Sequence, residues 1–257
     1  MQTGKVKSLY LAWQAPSTRA WFPIGLLNAN TSRGYYAFQY TNGALRAEKE
    51  AGFQPLLSFP IFEQKYESSE LFPLFSNRVL GSSRKDFSDY LKSLDINENE
   101  ADPIEILSVS GGTRQTDNLE VFPKIEKKPD NSFSCRFFLH GLSHVSKEGQ
   151  ERSLQLSPEE ELQISLELNN PVTKLAVQLS TKDYLTLGWA PRYLIEDILS
   201  AIPKCDNLDA KVVRVNDMHV PPNRRVLIEL SGHLPKDFKF MSSLDFQVIE
   251  AISANKT

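Results

Sequence analysis

The amino-acid sequence predicts an α+β protein with two domains: an N-terminal antiparallel sheet with covering helices, and then a small β-barrel with one or two helices. Short apolar segments rich in strand-forming residues alternate with turn residues in both halves of the chain. Several segments of the first half have apolar residues at helical spacing instead. A short charged stretch with one proline, 124–132, is the predicted linker between domains 1–123 and 133–257.

The first half has the pattern of an antiparallel sheet that is covered by helices. Its predicted strands are 6–13, 21–28, 35–40 and 119–122. Its predicted helical segments are 45–51, 71–75, 86–94 and 102–107. The last of these begins with Asp102 as its N-cap and Pro103 at its first helical position. Because a few antiparallel strands cannot bury a face by themselves, we expect the helices to cover this sheet.

The second half consists mainly of short strands and contains one clear helical segment. Its predicted strands are 133–139, 162–168, 175–179, 185–189, 211–215, 226–231 and 246–249. The helix is predicted over 191–202, where Pro191 suits the first turn and apolar residues recur at helical spacing. Polar residues follow several of the strands, a pattern expected of a small barrel that holds a ligand at its rim.

The balance of charge restricts what kind of nucleic-acid binding is expected. The chain has a net charge of −3, of which 1–124 contribute 13 − 14 = −1 and 125–257 contribute 16 − 18 = −2. Neither half has the strongly basic character that attracts a long duplex. Any binding of nucleic acid must therefore use a local pocket.

Cysteine usage and apolar runs bear on the expected location of the protein. Cys135 and Cys205 are the only cysteines and belong to no paired motif, which suits a reducing compartment. Residues 1–7 lack the apolar core of a signal peptide. No apolar run approaches the roughly 18 residues that span a membrane. We expect a cytoplasmic protein.

Three segments of the first half match one protein family in order and spacing. They read Pro-Leu-Leu-Ser-Phe-Pro-Ile at 55–61, Leu-Phe-Pro-Leu-Phe-Ser-Asn-Arg-Val-Leu at 71–80, and Asp-Pro-Ile-Glu-Ile-Leu-Ser-Val-Ser-Gly at 102–111. On these segments, 5–123 resembles the N-terminal subdomain of HipA-type toxin kinases. Gly81 stands where the family usually has proline, and Gly-Gly-Thr-Arg-Gln at 111–115 replaces the family's Gly-Arg-Asp-x-x-Gly-Ala loop.

The resemblance ends before the kinase body begins. The sequence has no Asp-x-x-x-x-Asn catalytic loop coupled to a metal-binding aspartate and no glycine-rich phosphate loop, so we expect no enzyme activity, cofactor or metal. Because the N-terminal subdomain is present without the kinase body, the resemblance implies a HipS-like antitoxin that binds a HipA-like serine/threonine kinase. A DNA-binding HipB-like protein is a further implied partner. The implied partner-binding residues are Phe59, Phe62, Phe75, Asn77 and Arg78.

Four landmarks of the second half match another family. They are His-Gly-Leu-Ser-His at 140–144, Asn-Asn-Pro at 169–171, Lys-Leu-Ala-Val at 174–177 and Leu-Gly-Trp-Ala-Pro-Arg at 187–192. On these landmarks, 133–232 resembles the HIRAN domain, which occurs alone in bacteria and attached to chromatin remodellers. Members of that family with tested binding hold the 3′ end of single-stranded DNA, with an aromatic ring stacked on a base and polar groups at the terminal hydroxyl and phosphate.

The HIRAN resemblance assigns a set of candidate nucleic-acid-binding residues. They are Ser143, His144, Asn170, Lys174, Trp189, Arg192 and Tyr193. Arg224 and Arg225 join them as a basic turn that follows two prolines. Val172 and Thr173 stand where the DNA-binding members carry Tyr and Asp. This departure removes one stacking surface and one acceptor for the sugar hydroxyl.

Some of these residues also have a plain structural interpretation. Trp189 is either a core or rim residue or a stacking platform. The Arg224–Arg225 turn is either solvated or in contact with phosphate. His140 and His144 are four residues apart, a spacing that converges on a metal in a helix but not in a strand and turn.

Three functional hypotheses follow from the sequence. The leading one is a non-enzymatic antitoxin or regulatory subunit with an added HIRAN domain for nucleic-acid or partner binding. The alternative is a protein of a repair or phage-defence system that binds single-stranded DNA ends. The third is a hydrolase that uses His140 or His144, for which no nucleophile, base and orienting group can be named.

Overall fold

The computed structural model describes residues 6–171 and 173–250 and divides the chain into two compact units. The first unit comprises Met1–Gly81, Asp102–Lys124 and Met241–Thr257, and the second comprises Ser82–Ala101 and Ile125–Phe240. One crossing between the units, at Lys124–Ile125, lies at the start of the predicted linker. However, 82–101, which the predicted boundaries place in the first domain, belong to the second unit. Residues 241–257, which those boundaries place in the second domain, belong to the first unit.

The protein is an α+β structure, as the sequence predicts, and it contains two antiparallel sheets. The strands are β1 (Lys7–Gln14), β2 (Trp21–Asn30), β3 (Tyr35–Tyr40), β4 (Tyr66–Ser68), β5 (Leu119–Pro123), β6 (Ser132–Phe138), β7 (Glu161–Asn170), β8 (Lys174–Ser180), β9 (Thr186–Trp189), β10 (Leu208–Val215) and β11 (Val226–His233). The α-helices are α1 (Asn42–Ala51), α2 (Pro73–Ser76), α3 (Phe87–Ser93), α4 (Pro103–Ser110), α5 (Lys147–Ser153) and α6 (Ile195–Ala201). None of the helices in the described part is long and apolar enough to cross a membrane.

The first unit contains a five-stranded sheet in the order β4-β3-β2-β1-β5. Its central strands pair in register, with Leu9 opposite Leu27 on one side and Leu11 opposite Val121 on the other. The side chains of these residues are buried, and together with α1 and α4 they form one apolar core. Helices α1 and α4 therefore cover the sheet as expected, because one apolar face must be removed from water. The segment 86–94, which was also predicted to cover it, forms α3 in the second unit instead.

Helix α4 forms where local capping signals predict it. The Asp102 carboxylate accepts a hydrogen bond from the Glu105 amide at 2.8 Å, and Pro103 occupies the first turn. The helix ends at Gly111, whose φ of +70° is the left-handed conformation that favours glycine. The prediction for this segment is confirmed, and the helix extends to Ser110.

The C-terminal segment does not form a strand of the second sheet, contrary to the prediction for 246–249. A short 3-10 turn, Leu244–Phe246, precedes it, and Val248 makes one isolated bridge with Thr41 in the first unit. The Ile249 amide donates to the Tyr40 carbonyl, and the Ile249 side chain is buried in the first core. Apolar burial in the first unit thus determines the position of this segment.

The second unit contains a six-stranded antiparallel sheet in the order β6-β11-β10-β7-β8-β9. The described strands form no closed barrel, so the predicted barrel is corrected to an open sheet. Among the residues that the structure describes, the isolated bridge between His140 and Trp189 is the one backbone pairing that joins its two edges. The pairing stops there because the chain turns away on both sides, at Gly141 with φ +73° and at Pro191, which leads into the 3-10 turn Arg192–Leu194.

Candidate functional site

A chain of hydrogen bonds connects Trp189 to the β7–β8 turn at one end of the second sheet. The indole Nε1 of Trp189 donates to Glu167 Oε2 at 2.7 Å, and Asn170 Nδ2 donates to the same oxygen at 2.9 Å. Asn170 Oδ1 in turn accepts from the backbone amide and the hydroxyl of Thr173, both at 3.0 Å. These bonds fix the orientation of a half-buried aromatic ring beside a carboxylate. We call this end of the sheet the rim.

The turn after β6 packs against the ring of Trp189. A Cβ atom at Gly141 would lie 2.6 Å from Trp189 Cε3, so only glycine leaves room for the ring. The exposed side chains of Ser143 and His144 follow in the 3-10 turn Leu142–His144. Trp189 is therefore neither a fully buried core residue nor a fully exposed stacking platform, because part of its ring is covered and part is accessible.

The other predicted binding residues lie at the start of β8 and in the 3-10 turn after β9. Lys174 is exposed at the start of β8, opposite Asn170, and has a φ of +65°. Arg192 and Tyr193 are half-buried, three and four residues after Trp189. Val172 lies outside the described residues, and Thr173 is half-buried and held by Asn170.

The structure separates the two arginines of the predicted basic turn. The turn Pro222–Arg224 lies beside the turn Leu142–His144, which brings Arg224 close to the rim. Arg225, by contrast, is buried, and its Nη2 donates to the Val220 carbonyl at 2.8 Å. Its function is structural, because its guanidinium holds the loop that precedes it rather than facing solvent.

A groove of about 710 Å³ in the second unit was missed by the sequence analysis. It lies between α3, the end of β10 and the turn Pro222–Arg224, and Arg224 is the only predicted site residue in it. Its lining residues are Asp86, Asp89, Tyr90, Lys92, Ser93, Arg214, Val215, Asn216, Asp217, His219, Val220, Pro221 and Arg224. The sequence predicts α3, but it gives no signal that this helix packs against a strand more than a hundred residues later.

Three of the five predicted partner-binding residues are buried in the first unit. Phe59 and Phe75 belong to its apolar core. The Arg78 side chain is only 2% exposed and pairs with Asp117 at 2.5 Å. These three residues cannot form a docking surface, because their side chains already pack inside the unit. Phe62 is half-buried, and Asn77 is exposed.

The segment that contains Phe59 presents different apolar side chains to solvent. Leu57 is fully exposed, and Ile61 is 50% exposed. The buried hydroxyl of Tyr40 accepts a hydrogen bond from the Leu56 amide at 2.7 Å and donates one to the Phe59 carbonyl at 2.8 Å. Burial raises the pKa of Tyr40 above its usual range, so this hydroxyl remains a donor at neutral pH. The segment is therefore anchored at both sides of Leu57.

Cys135 is a free cysteine that is buried in the second unit. Burial, with a smaller contribution from the charge of Asp197, raises the pKa of the Cys135 thiol to about 12, so it stays protonated at neutral pH. The described residues contain no cluster of three histidine, cysteine, aspartate or glutamate side chains suited to a metal ion.

Comparison with models of protein families, with curated proteins and with solved structures gives no match to this chain. The functional proposals below therefore use the local geometry together with the two resemblances in the sequence. Neither resemblance is supported by a match along the length of a domain.

Proposed function

We propose that the protein is a non-enzymatic antitoxin or regulatory subunit that binds and neutralises a HipA-like serine/threonine kinase through its first unit. The HIRAN-like second unit adds a site for nucleic acid or for a further partner, such as a DNA-binding HipB-like protein. The observation that carries the proposal is the anchored, outward-facing apolar pair Leu57 and Ile61. The pair lies within 55–61, one of the segments that resembles the kinase family.

The geometry of this segment is favourable for docking. A fully exposed leucine gains about 1.5–3 kcal/mol when it is transferred from water into an apolar pocket. The two hydrogen bonds to the Tyr40 hydroxyl hold the backbone around Leu57 before a partner arrives. Binding therefore has to order little additional chain, which reduces the entropic cost of association.

Co-expression with a HipA-like kinase encoded in the same genome tests this proposal. The wild-type chain is expected to co-purify with the kinase and to relieve its toxicity. The variant Leu57→Asp is expected to lose both effects, because it places a charge in the apolar contact. Leu244→Asp is the matched control, since Leu244 is 66% exposed on another segment of the first unit. Absence of a complex with wild type, or equal loss in both variants, would refute the proposal.

A second candidate function is binding of a single-stranded DNA end at the rim. It is favoured by the aromatic ring of Trp189 with the Glu167 carboxylate at its edge and the exposed cation of Lys174 nearby in the same hairpin. An aromatic ring can stack on a base, a carboxylate can accept from a sugar hydroxyl, and a lysine can contact a phosphate. Trp189 and Glu167 thus offer an aromatic ring and a carboxylate. DNA-binding members of the HIRAN family carry these two groups at the positions of Val172 and Thr173.

Fluorescence anisotropy with short oligodeoxythymidylates tests the second candidate. The protein is expected to prefer a 3′-hydroxyl end over a 3′-phosphate end, and Lys174→Gln and His144→Ala are expected to weaken binding. Lys239→Gln is the matched control for charge, because Lys239 is exposed elsewhere in the second unit. Binding that is equal for both ends, or equally sensitive to the control, would exclude recognition of a strand end.

A further inference from the structure

We propose that the groove between α3 and the end of β10 is a second subsite for single-stranded nucleic acid, which takes the part of the strand that continues beyond the rim. This inference rests on the second candidate function, strand-end binding. It adds a place for phosphates and for a stacked base that the rim residues do not provide.

The groove is preorganised by one buried amide side chain. Asn216 is 5% exposed, and its Nδ2 donates to the Ser93 carbonyl at 2.9 Å and to the Arg224 carbonyl at 2.8 Å. Its Oδ1 accepts from Arg214 Nε at 3.0 Å. Asn216 thus joins the three walls of the groove: the helix, the strand end and the turn. A ligand meets a fixed site, which lowers the ordering cost of binding.

The distribution of charge in the groove favours an anion, although its net formal charge is zero. Three cations, Lys92, Arg214 and Arg224, face three carboxylates, Asp86, Asp89 and Asp217. Two of these carboxylates already have cationic partners, since Asp86 pairs with Arg84 and Asp89 pairs with Lys92. Among the described residues, the guanidinium of Arg214 bonds the Asn216 side chain and that of Arg224 lies over the Tyr90 ring, and neither forms an ion pair. Two arginines then remain against Asp217, and arginine is well suited to phosphate.

The groove also contains an aromatic surface next to one of these arginines. The Tyr90 ring is half-buried in the groove wall, and the guanidinium of Arg224 lies over it at 5.7 Å from the ring centroid. Aromatic rings and guanidinium planes are both platforms for unstacked bases. The combination of a stacking platform and unpaired cations fits a single strand better than an acidic peptide, which has no base to stack.

The position of Arg224 connects the groove to the rim. The turn Pro222–Arg224 forms one wall of the groove and lies beside the turn that carries Ser143 and His144. A strand whose end is held at the rim would therefore pass this turn before it enters the groove. Single-strand sites of OB-fold domains cover about 4–16 nucleotides, a length that would span both a rim and an adjoining groove.

Two oligodeoxythymidylates of different length, labelled at the 5′ end, test the inference. A strand of four nucleotides is expected to occupy the rim alone, and one of twelve is expected to occupy the groove as well. For the longer strand, Tyr90→Leu is expected to weaken binding about 5- to 150-fold through the loss of one stacked base, while Tyr90→Phe has little effect. For the shorter strand, both variants are expected to bind within twofold of wild type.

The salt dependence gives a second, independent measurement. Arg214→Gln is expected to make the slope of log Kd against log salt concentration shallower by about 0.7 for the longer strand, the value for one lost phosphate contact on a single strand. Lys239→Gln removes the same charge outside the groove and is expected to leave the slope unchanged. Thermal unfolding of each variant verifies that the second unit is folded.

The outcomes separate the groove from the rim. If both strands bind and the groove variants change neither, the groove inference is wrong and the rim function stands. If the groove variants weaken both strands equally, the groove is not a separate subsite. If only the longer strand binds and it depends on Tyr90, the rim function fails, and the groove binds a single strand but does not extend a site at the rim. If neither strand binds, both nucleic-acid proposals are wrong. If polyglutamate displaces the longer strand as well as an unlabelled oligodeoxythymidylate does, the stacking argument is wrong.

Discussion

Replacement of Arg78 distinguishes a structural residue from a docking residue. The structure buries its guanidinium between the Asp117 carboxylate, the Gly112 carbonyl at 2.9 Å and the Leu74 carbonyl at 3.0 Å. Arg78→Met keeps most of the stem and removes every one of these bonds. The two carbonyls lose a donor at about 1–3 kcal/mol each, whereas Asp117 is 29% exposed and can regain water. We expect the free energy of unfolding to fall by about 3–5 kcal/mol.

Urea unfolding in a Trp189→Phe background measures this change, because the remaining tryptophans, Trp13 and Trp21, are both in the first unit. With a slope near 2 kcal/mol per molar, the expected shift in midpoint is about 1.5–2.5 M. Arg33→Met removes an exposed arginine from the same unit and is expected to leave the midpoint unchanged. If Arg78→Met behaves like this control but abolishes binding to a kinase partner, the structural interpretation of Arg78 is wrong.

Three further predictions test the second unit. Gly141→Ala forces a methyl group against Trp189 at a positive φ and should lower the free energy of unfolding by about 2 kcal/mol or more. Gly52→Ala is the control, since Gly52 has a φ of +70° but no neighbouring atom within 4 Å, and it should lower that free energy by only about 1–2 kcal/mol. Chemical unfolding measures both values. Glu167→Ala should shift the Trp189 emission and Glu167→Gln should restore it, because the amide retains an oxygen acceptor. The Cys135 thiol, with its pKa raised from 9.0 to about 12, should resist thiol reagents in the folded protein at pH 8. As the pH rises above 9, the unfolded chain loses this proton before the folded protein does, so stability should fall, and less so in Cys135→Ala.

Local patterns in the sequence predicted most of the secondary structure. The capping residues Asp102 and Pro103, with Gly111 at the end, lie within one helix and act through bonds between near neighbours. Most strands of both sheets were also predicted, because alternation of apolar residues is visible within a few positions, but the short strand β4 was not. The α+β class followed from these elements without knowledge of how they pack.

Local patterns failed where burial or pairing joins distant parts of the chain. The partner that makes Arg78 structural is Asp117, 39 positions later, and the amide that builds the groove, Asn216, bonds the Ser93 carbonyl 123 positions earlier. The family resemblance implied that Arg78 binds a partner, and nothing in the sequence near α3 indicates a groove. The predicted barrel failed for the same reason, since closure depends on whether two edges distant in the chain continue to pair.

The sequence by itself determined most of the segments of this protein that become helices and strands, because propensity, capping and alternation act over a few residues. It did not indicate β4 or α5, and it predicted a strand at 246–249 that the structure does not contain. Tertiary structure alone decided how 82–101 and the C-terminal segment divide between the two units, which aromatic side chains are core, and which arginines face solvent. The physical reason is that a side chain is buried or exposed by contacts that the chain makes only once it is folded, and those contacts come from residues far away in sequence.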